Sequence, residues 1–210
     1  MSIQAQTLSK GEQTRERIME IAQDAVLHKG FASTSIDEII CEAGITKSGF
    51  FYHFRDKNDL AKALLLRYTT EEWKVFDELF KKADELSDDP LHSFLIFLKL
   101  FADLMGDLPN GHPGCLIASY VYQDFLFSQE VRALTTEGHQ IWRKRFREKL
   151  DKIAARYPAR IEVNLDDMAD MLSAVADGGI ILSKSLHDPS LLPRQILQYR
   201  AYVKLVFLGN

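Results

Sequence analysis

The sequence lacks most of the features that would mark an alternative to a helical globular protein. Two cysteines in 210 residues, Cys41 and Cys115, cannot build a disulfide framework, so a reducing cytoplasm is the expected compartment. No apolar stretch approaches the roughly twenty residues that cross a bilayer. The N-terminal MSIQAQTLSKGEQTRERI has no apolar segment of the kind a signal peptide needs. No stretch alternates apolar and polar residues for long, which argues against strands, and no repeat of fixed period is present. Basic charge is not in excess: the net charge is -4, and residues 1–57 carry seven Lys/Arg against eight Asp/Glu. That excludes a broad basic surface but not a focused one, because affinity for nucleic acid depends on charges placed at phosphates. Residues 43–57 hold three basic side chains, Lys47, Arg55 and Lys57, against Asp56 alone.

Catalytic constellations are missing too. No nucleophile stands at usable spacing from a base, and there is no phosphate loop or paired-carboxylate site. Asp166, Asp167 and Asp170 fit the first turn of a helix, where negative charge is favoured. His28, His92, His112, His139 and His187 have no metal-ligand spacing. No enzyme activity, cofactor or metal is expected; the alternative to a DNA-binding role is an all-helical enzyme or binding protein without one.

What is present is concentrated in Thr34–Lys57, TSIDEIICEAGITKSGFFYHFRDK. Thr34 and Ser35 both fit a helix N-cap, each with an acid three residues on to close a capping box. Ile36, Ile39, Ile40 and Ala43 fall on one helical face. Gly44 supplies a left-handed residue to end that helix. Thr46 caps a second helix, with Ile45 and Phe50 at the positions of a hydrophobic staple. Phe50 and Phe54 point inward, which turns Lys47, Ser48, Phe51 and Tyr52 outward. Helix, short turn and helix with a small, basic and aromatic outer face is an arrangement that enters a DNA major groove.

The run AGITKSGFFYHFRDKNDL resembles the helix-turn-helix of the TetR family of one-component transcriptional regulators, and TRERIMEIAQDAVLHKGF resembles that family's first helix. The resemblance is specific over residues 14–68. It implies phosphate contacts at Thr34, Thr46, Lys47, His53 and Lys57, and places Ser48, Gly49 and Tyr52 nearest the base edges. Phe51 stands where the family usually has a tyrosine whose hydroxyl reaches a phosphate; either Tyr52 supplies that bond or the contact is lost.

The resemblance also implies an operator, a small-molecule effector and a homodimer. The whole chain reads as all-α with about nine helices: a loose arm over 1–13, a three-helix DNA-binding head over 14–57, and a ligand-binding and dimerisation body over 58–210. The six prolines stand at the breaks, at 90, 109, 113, 158, 189 and 193. The last two helices are the expected dimer interface, through Met171, Val175, Gly179 and Leu182 on one and Ile196, Val203 and Phe207 on the other. Phe97, Phe101, Cys115, Tyr120, Trp142 and Phe146 are expected at a mainly apolar ligand pocket. Cys115 follows a Pro-Gly turn at a helix start, and reads either as an inert buried thiol or as one that meets electrophiles. The basic run Arg143–Lys149 reads as a solvated face.

Overall fold

The computed structural model describes residues 9–209, which form nine α-helices, one 3-10 turn and no strand. In order these are α1 (Lys10–Lys29), α2 (Ile36–Ala43), α3 (Lys47–His53), α4 (Lys57–Leu86), α5 (Pro90–Gly106), α6 (Leu116–Val121), a 3-10 turn (Asp124–Leu126), α7 (Gln129–Arg156), α8 (Leu165–Ser185) and α9 (Leu191–Leu208). The all-α reading of the sequence holds.

α1 begins four residues before the expected Thr14. Ser9 accepts from the Glu12 N–H while the Glu12 carboxylate accepts from the Ser9 N–H, a reciprocal cap that starts a helix without any apolar residue. Residues 1–8 of the expected arm lie outside the described residues. The helix that starts after the Pro-Gly turn is short: α6 stops at Val121, and the chain bends through the 3-10 turn before α7. The bend lets Tyr120 and Phe127 reach the same ring, Phe31, at centroid distances of 5.8 and 4.4 Å.

Backbone packing divides the chain into two units. The head unit joins the described part of Met1–Tyr68 to Leu116–Thr135; the body unit joins Thr69–Cys115 to Thr136–Asn210. Sequence pattern alone placed the boundary at residue 57, whereas the packing draws the start of α4, α6 and the start of α7 into the head. Tyr120, expected at a ligand pocket in the body, is therefore a head residue. It is buried against Phe31 and Phe127, and its hydroxyl donates to the Ala61 carbonyl at 3.2 Å.

In the body, α9 packs against both α5 and α8. Ile196, Val203 and Phe207 are buried there, with Tyr199 donating to the Met168 carbonyl and Arg200 to the Leu95 carbonyl, each at 2.8 Å. These three apolar residues were expected at a subunit interface and instead fill the core of one chain. Gly179 has the same explanation: a Cβ there would lie 3.1 Å from the Leu192 Cα, so the glycine admits α9 rather than a partner helix. The same core continues between α4, α5 and α7 through aromatic rings. Phe80 stacks on Phe97 at 3.9 Å, Phe76 meets Phe101 at 5.0 Å and Trp142 at 4.4 Å, and Trp142 meets Phe146 at 5.1 Å. The basic run on α7 is more than a solvated face. Arg143 pairs with Asp170 and Arg147 with Asp166 on α8, both at 2.6 Å, while Arg145 pairs with Asp77 and Lys149 with Asp84 on α4.

Beside Trp142 lies a carboxyl that the apolar reading of this region did not anticipate. The Trp142 Nε1–H donates to Glu72 at 3.0 Å. Burial pushes the Glu72 carboxyl up to about 7; the Trp142 bond opposes that rise and the charge of Asp177 adds to it. Asp177 is itself raised by burial, while the Cys115 thiol donates to it and His139 is nearby.

Two predictions follow from the body's packing. Gly179→Ala lowers stability by about 1 kcal/mol, because crowding against the Leu192 backbone outweighs the better helix propensity of alanine; thermal unfolding checks this. For Glu72, a folded-state pKa above the ordinary 4.5 means that the folded chain binds the extra proton. Its contribution to stability is full below about pH 4.5 and is lost as pH rises to about 7, a loss of up to about 3 kcal/mol. Urea unfolding at pH 5 and pH 8 should therefore show Glu72→Gln gaining stability relative to the parent as pH rises.

Candidate nucleic-acid interface

The interface is built from a short helix that could not stand alone. α3 has seven residues, less than an isolated helix needs in water, so its neighbours must hold it. Thr46 caps it, accepting from the Gly49 N–H at 3.1 Å. Phe50 and Phe54 lie inside the head, 0% and 2% exposed, with their rings 5.7 Å apart. The Arg15 guanidinium sits 5.0 Å over the Phe54 ring. Upstream, Ser35 caps α2 and accepts from the Glu38 N–H at 3.1 Å. Gly44 ends that helix in the left-handed region, at φ 62° and ψ 37°, a conformation costly for any residue with a Cβ. The expected turn is therefore present, with Ser35 rather than Thr34 as the first cap.

With two rings fixed inward, the outer face of α3 follows. Tyr52 is 82% exposed and Phe51 45%. Ser48 is exposed and its hydroxyl lies 3.0 Å from that of Thr46. Lys47 reaches Asp37 at 3.5 Å with both side chains largely in solvent, a pairing that contributes little and that a phosphate can replace. A Cβ on Gly49 would stand 3.4 Å from the Thr46 hydroxyl, so glycine leaves the cap uncrowded.

Thr34 and Lys57 do other work. Thr34 is 1% exposed and its hydroxyl donates to the Gly30 carbonyl at 3.0 Å, so its side chain is turned away from solvent and from any phosphate. The Lys57 ammonium lies 4.2 Å from the Phe31 ring centre and donates to the Phe31 carbonyl, and its burial lowers its pKa. Sequence reasoning assigned both residues to phosphates because it had no means of seeing the connection between α1 and α2 fold back over them. His53 is half-buried, and burial and the charge of Arg15 hold its imidazole below the usual 6.5, which favours the neutral form. Arg17 was missed. It is exposed on α1, with its guanidinium 3.3 Å from where a Gly44 Cβ would stand, beside the turn that leads into α3. No local pattern singles it out, since its position depends on α1 lying against α2.

In the body, Phe97, Phe101 and Phe146 are buried and pack on one another's neighbours, while Trp142 and Cys115 keep partial exposure. The Cys115 thiol serves as a donor to Asp177, a role that uses its protonated form rather than the nucleophilic thiolate. On α8, Met171 and Leu182 are exposed, at 40% and 43%, and Val175 is partly so. Among the described residues no group of His, Cys, Asp or Glu is placed to hold a metal ion, and no helix is long and apolar enough to cross a membrane.

Comparison with known proteins places this geometry. Residues 18–64, from α1 into α4, match the family model of bacterial regulatory proteins of the tetR family. An uncharacterised HTH-type transcriptional regulator of Bacillus subtilis, YxaF, is 26% identical over 188 residues, covering 88% of this chain and 91% of its own. The HTH-type transcriptional repressor BepR of Brucella suis is 29% identical over 100 residues, 46% of either chain. Among solved structures, a TetR transcriptional regulator from Chloroflexus aurantiacus superposes with a TM-score of 0.77 at 24% identity, over 95% of this chain and 98% of its own. The capped α3, the left-handed turn before it and the family model converge: residues 18–64 form a DNA-binding domain of the TetR family, and the chain as a whole shares the fold of TetR-family regulators.

Proposed function

We propose that the protein is a homodimeric repressor that grips a palindromic operator through α3 of each subunit and releases it when a small molecule binds the body. The observation that carries this is the outer face of α3, where Lys47, Ser48 and Tyr52 stand in solvent, Lys47 with only an exposed pairing to Asp37, while Phe50 and Phe54 are locked in the core. Thr46 and Lys47 contact phosphates and set register; Ser48 and Tyr52 read base edges, and Phe51 offers an apolar contact such as a thymine methyl takes. His53 adds a neutral hydrogen bond. The likeness to BepR, a repressor by name, supports the sign of regulation. A protein acting on such operators works in the cytoplasm.

One short helix reads too few base pairs for specificity, so two subunits act on paired half-sites. The stripe left bare for a partner is Met171, Ala174, Gly178 and Leu182 on α8, with Ala201, Leu205 and Leu208 on α9. Gly178 has open space around it within the chain, unlike Gly179. The effector site lies at Trp142 and Cys115, the members of the expected pocket that are not sealed in packing, with the Glu72 and Asp177 carboxyls at its edge. An effector acts there only through different affinity for the DNA-competent and DNA-incompetent states.

Selection of bound duplexes from a random pool, with and without candidate effectors, tests the reading; a palindromic product is expected and an unenriched pool refutes it. On the selected duplex, Lys47→Ala weakens binding and lowers the slope of log affinity against log salt by about 1. An unchanged slope in the salt titration removes Lys47 from the phosphate contacts. Leu182→Glu combined with Leu205→Glu gives a monomeric mass by light scattering and operator affinity lower by more than about tenfold, through loss of the second half-site.

A further inference from the structure

The connection between α1 and α2, residues 30–35, is held by side chains. Its Gly30 carbonyl accepts from Thr34, its Phe31 carbonyl from Lys57, and the Ala32 N–H donates to Gln123 Oε1 at 3.1 Å. Thr34 and Lys57 belong to the helix-turn-helix region itself. Gln123 arrives from a segment 91 residues further along the chain.

That segment is pinned on both sides of Gln123. Tyr120 is buried with its hydroxyl on the Ala61 carbonyl, and Phe127 packs on Phe31. The Ser128 N–H donates to Asn58 at 2.9 Å, and Glu130 pairs with Lys62. The approach of Gln123 is close enough to constrain what lies under it. At Gly30, where φ is +83°, a Cβ would stand 2.7 Å from Gln123 Nε2, so the glycine both adopts the conformation and leaves room for the amide.

We propose that Gln123 is a positioning residue for DNA binding: its amide fixes the α1–α2 connection and, through it, the orientation of α2 and of α3 that hangs from it. This rests on the DNA-binding reading above. Ala32 lies four residues before the first residue of α2, and Ser35 caps that helix. A bond that immobilises the connection therefore sets where α2 begins and how it enters the head. Gln123 needs no contact with DNA for this, since it acts by holding the α2–α3 pair in one arrangement before DNA arrives.

The test uses the full-length protein and the duplex selected by the parent. Gln123→Met keeps the length of the side chain and removes the acceptor. Hydrogen exchange of the peptide spanning residues 28–36 should rise at least about tenfold, while peptides from α5 and α8 stay at parental rates. Affinity for the duplex should fall by about three- to tenfold, the loss expected of one hydrogen bond, with the salt slope unchanged because no phosphate contact is removed. Gln123→Glu keeps an oxygen facing the Ala32 N–H and should retain the exchange protection, which also serves if the methionine variant does not fold. Unchanged exchange in Gln123→Met overturns the proposal, as does raised exchange with unchanged affinity, or a salt slope lowered by about 1. Should the parent bind no duplex, the DNA-binding reading fails, and with it this role for Gln123, whereas the exchange measurement still reports whether the latch exists.

Discussion

The head depends on the burial of two rings one helical turn apart. α3 is too short to be stable by its own hydrogen bonds, and nothing but Phe50 and Phe54 decides which of its sides faces the interior. Once both rings are seated, with Arg15 over Phe54, Lys47, Ser48, Phe51 and Tyr52 have no direction left but outward. The Thr46 cap and the Gly44 turn set where the helix starts; the rings set how it is rotated about its axis. Readout of bases needs both.

The charge of the head follows from the same economy. Several of its cations do internal work: Lys29 pairs with Glu38, Arg67 with Glu16 and Lys62 with Glu130, while Arg15 and Lys57 lie over aromatic rings. Lys47 is held only by an exposed pairing, and Arg55 is 84% exposed beside Asp59. A net charge of -4 is compatible with binding a polyanion on these terms, because affinity depends on a few placed cations rather than on the total.

The body is organised around α9. A helix with apolar residues on most of its circumference has to be covered on more than one side, and α5 and α8 cover it. Close approach of α8 needs Gly179, and the ion pairs of α7 with Asp77, Asp84, Asp166 and Asp170 align α7 with α4 and α8. Against this apolar packing, Glu72 is anomalous. A carboxyl held partly out of water, bonded to Trp142 and facing Asp177, costs the fold stability at neutral pH.

Much of this was legible in the chain itself. Helix starts and stops depend on residues three or four apart, so Thr46 and the glycine after Ala43 announced their roles, and the spacing of Phe50 and Phe54 gave the rotation of α3. The family resemblance then tied that local pattern to DNA. Other assignments needed the tertiary structure. Ile196, Val203 and Phe207 look the same in sequence whether they meet a partner subunit or a neighbouring helix, because periodicity reports that a face is buried and not against what. Thr34 was a cap candidate until the fold-back of the α1–α2 connection gave its hydroxyl the Gly30 carbonyl, and Tyr120 was a pocket candidate until the bend after α6 set it on Ala61. The sequence by itself determined the helices, their caps and the outer face of α3, since those are contests between near neighbours. Only the tertiary structure decided which buried faces meet, because contacts between residues distant in the chain depend on how whole helices approach.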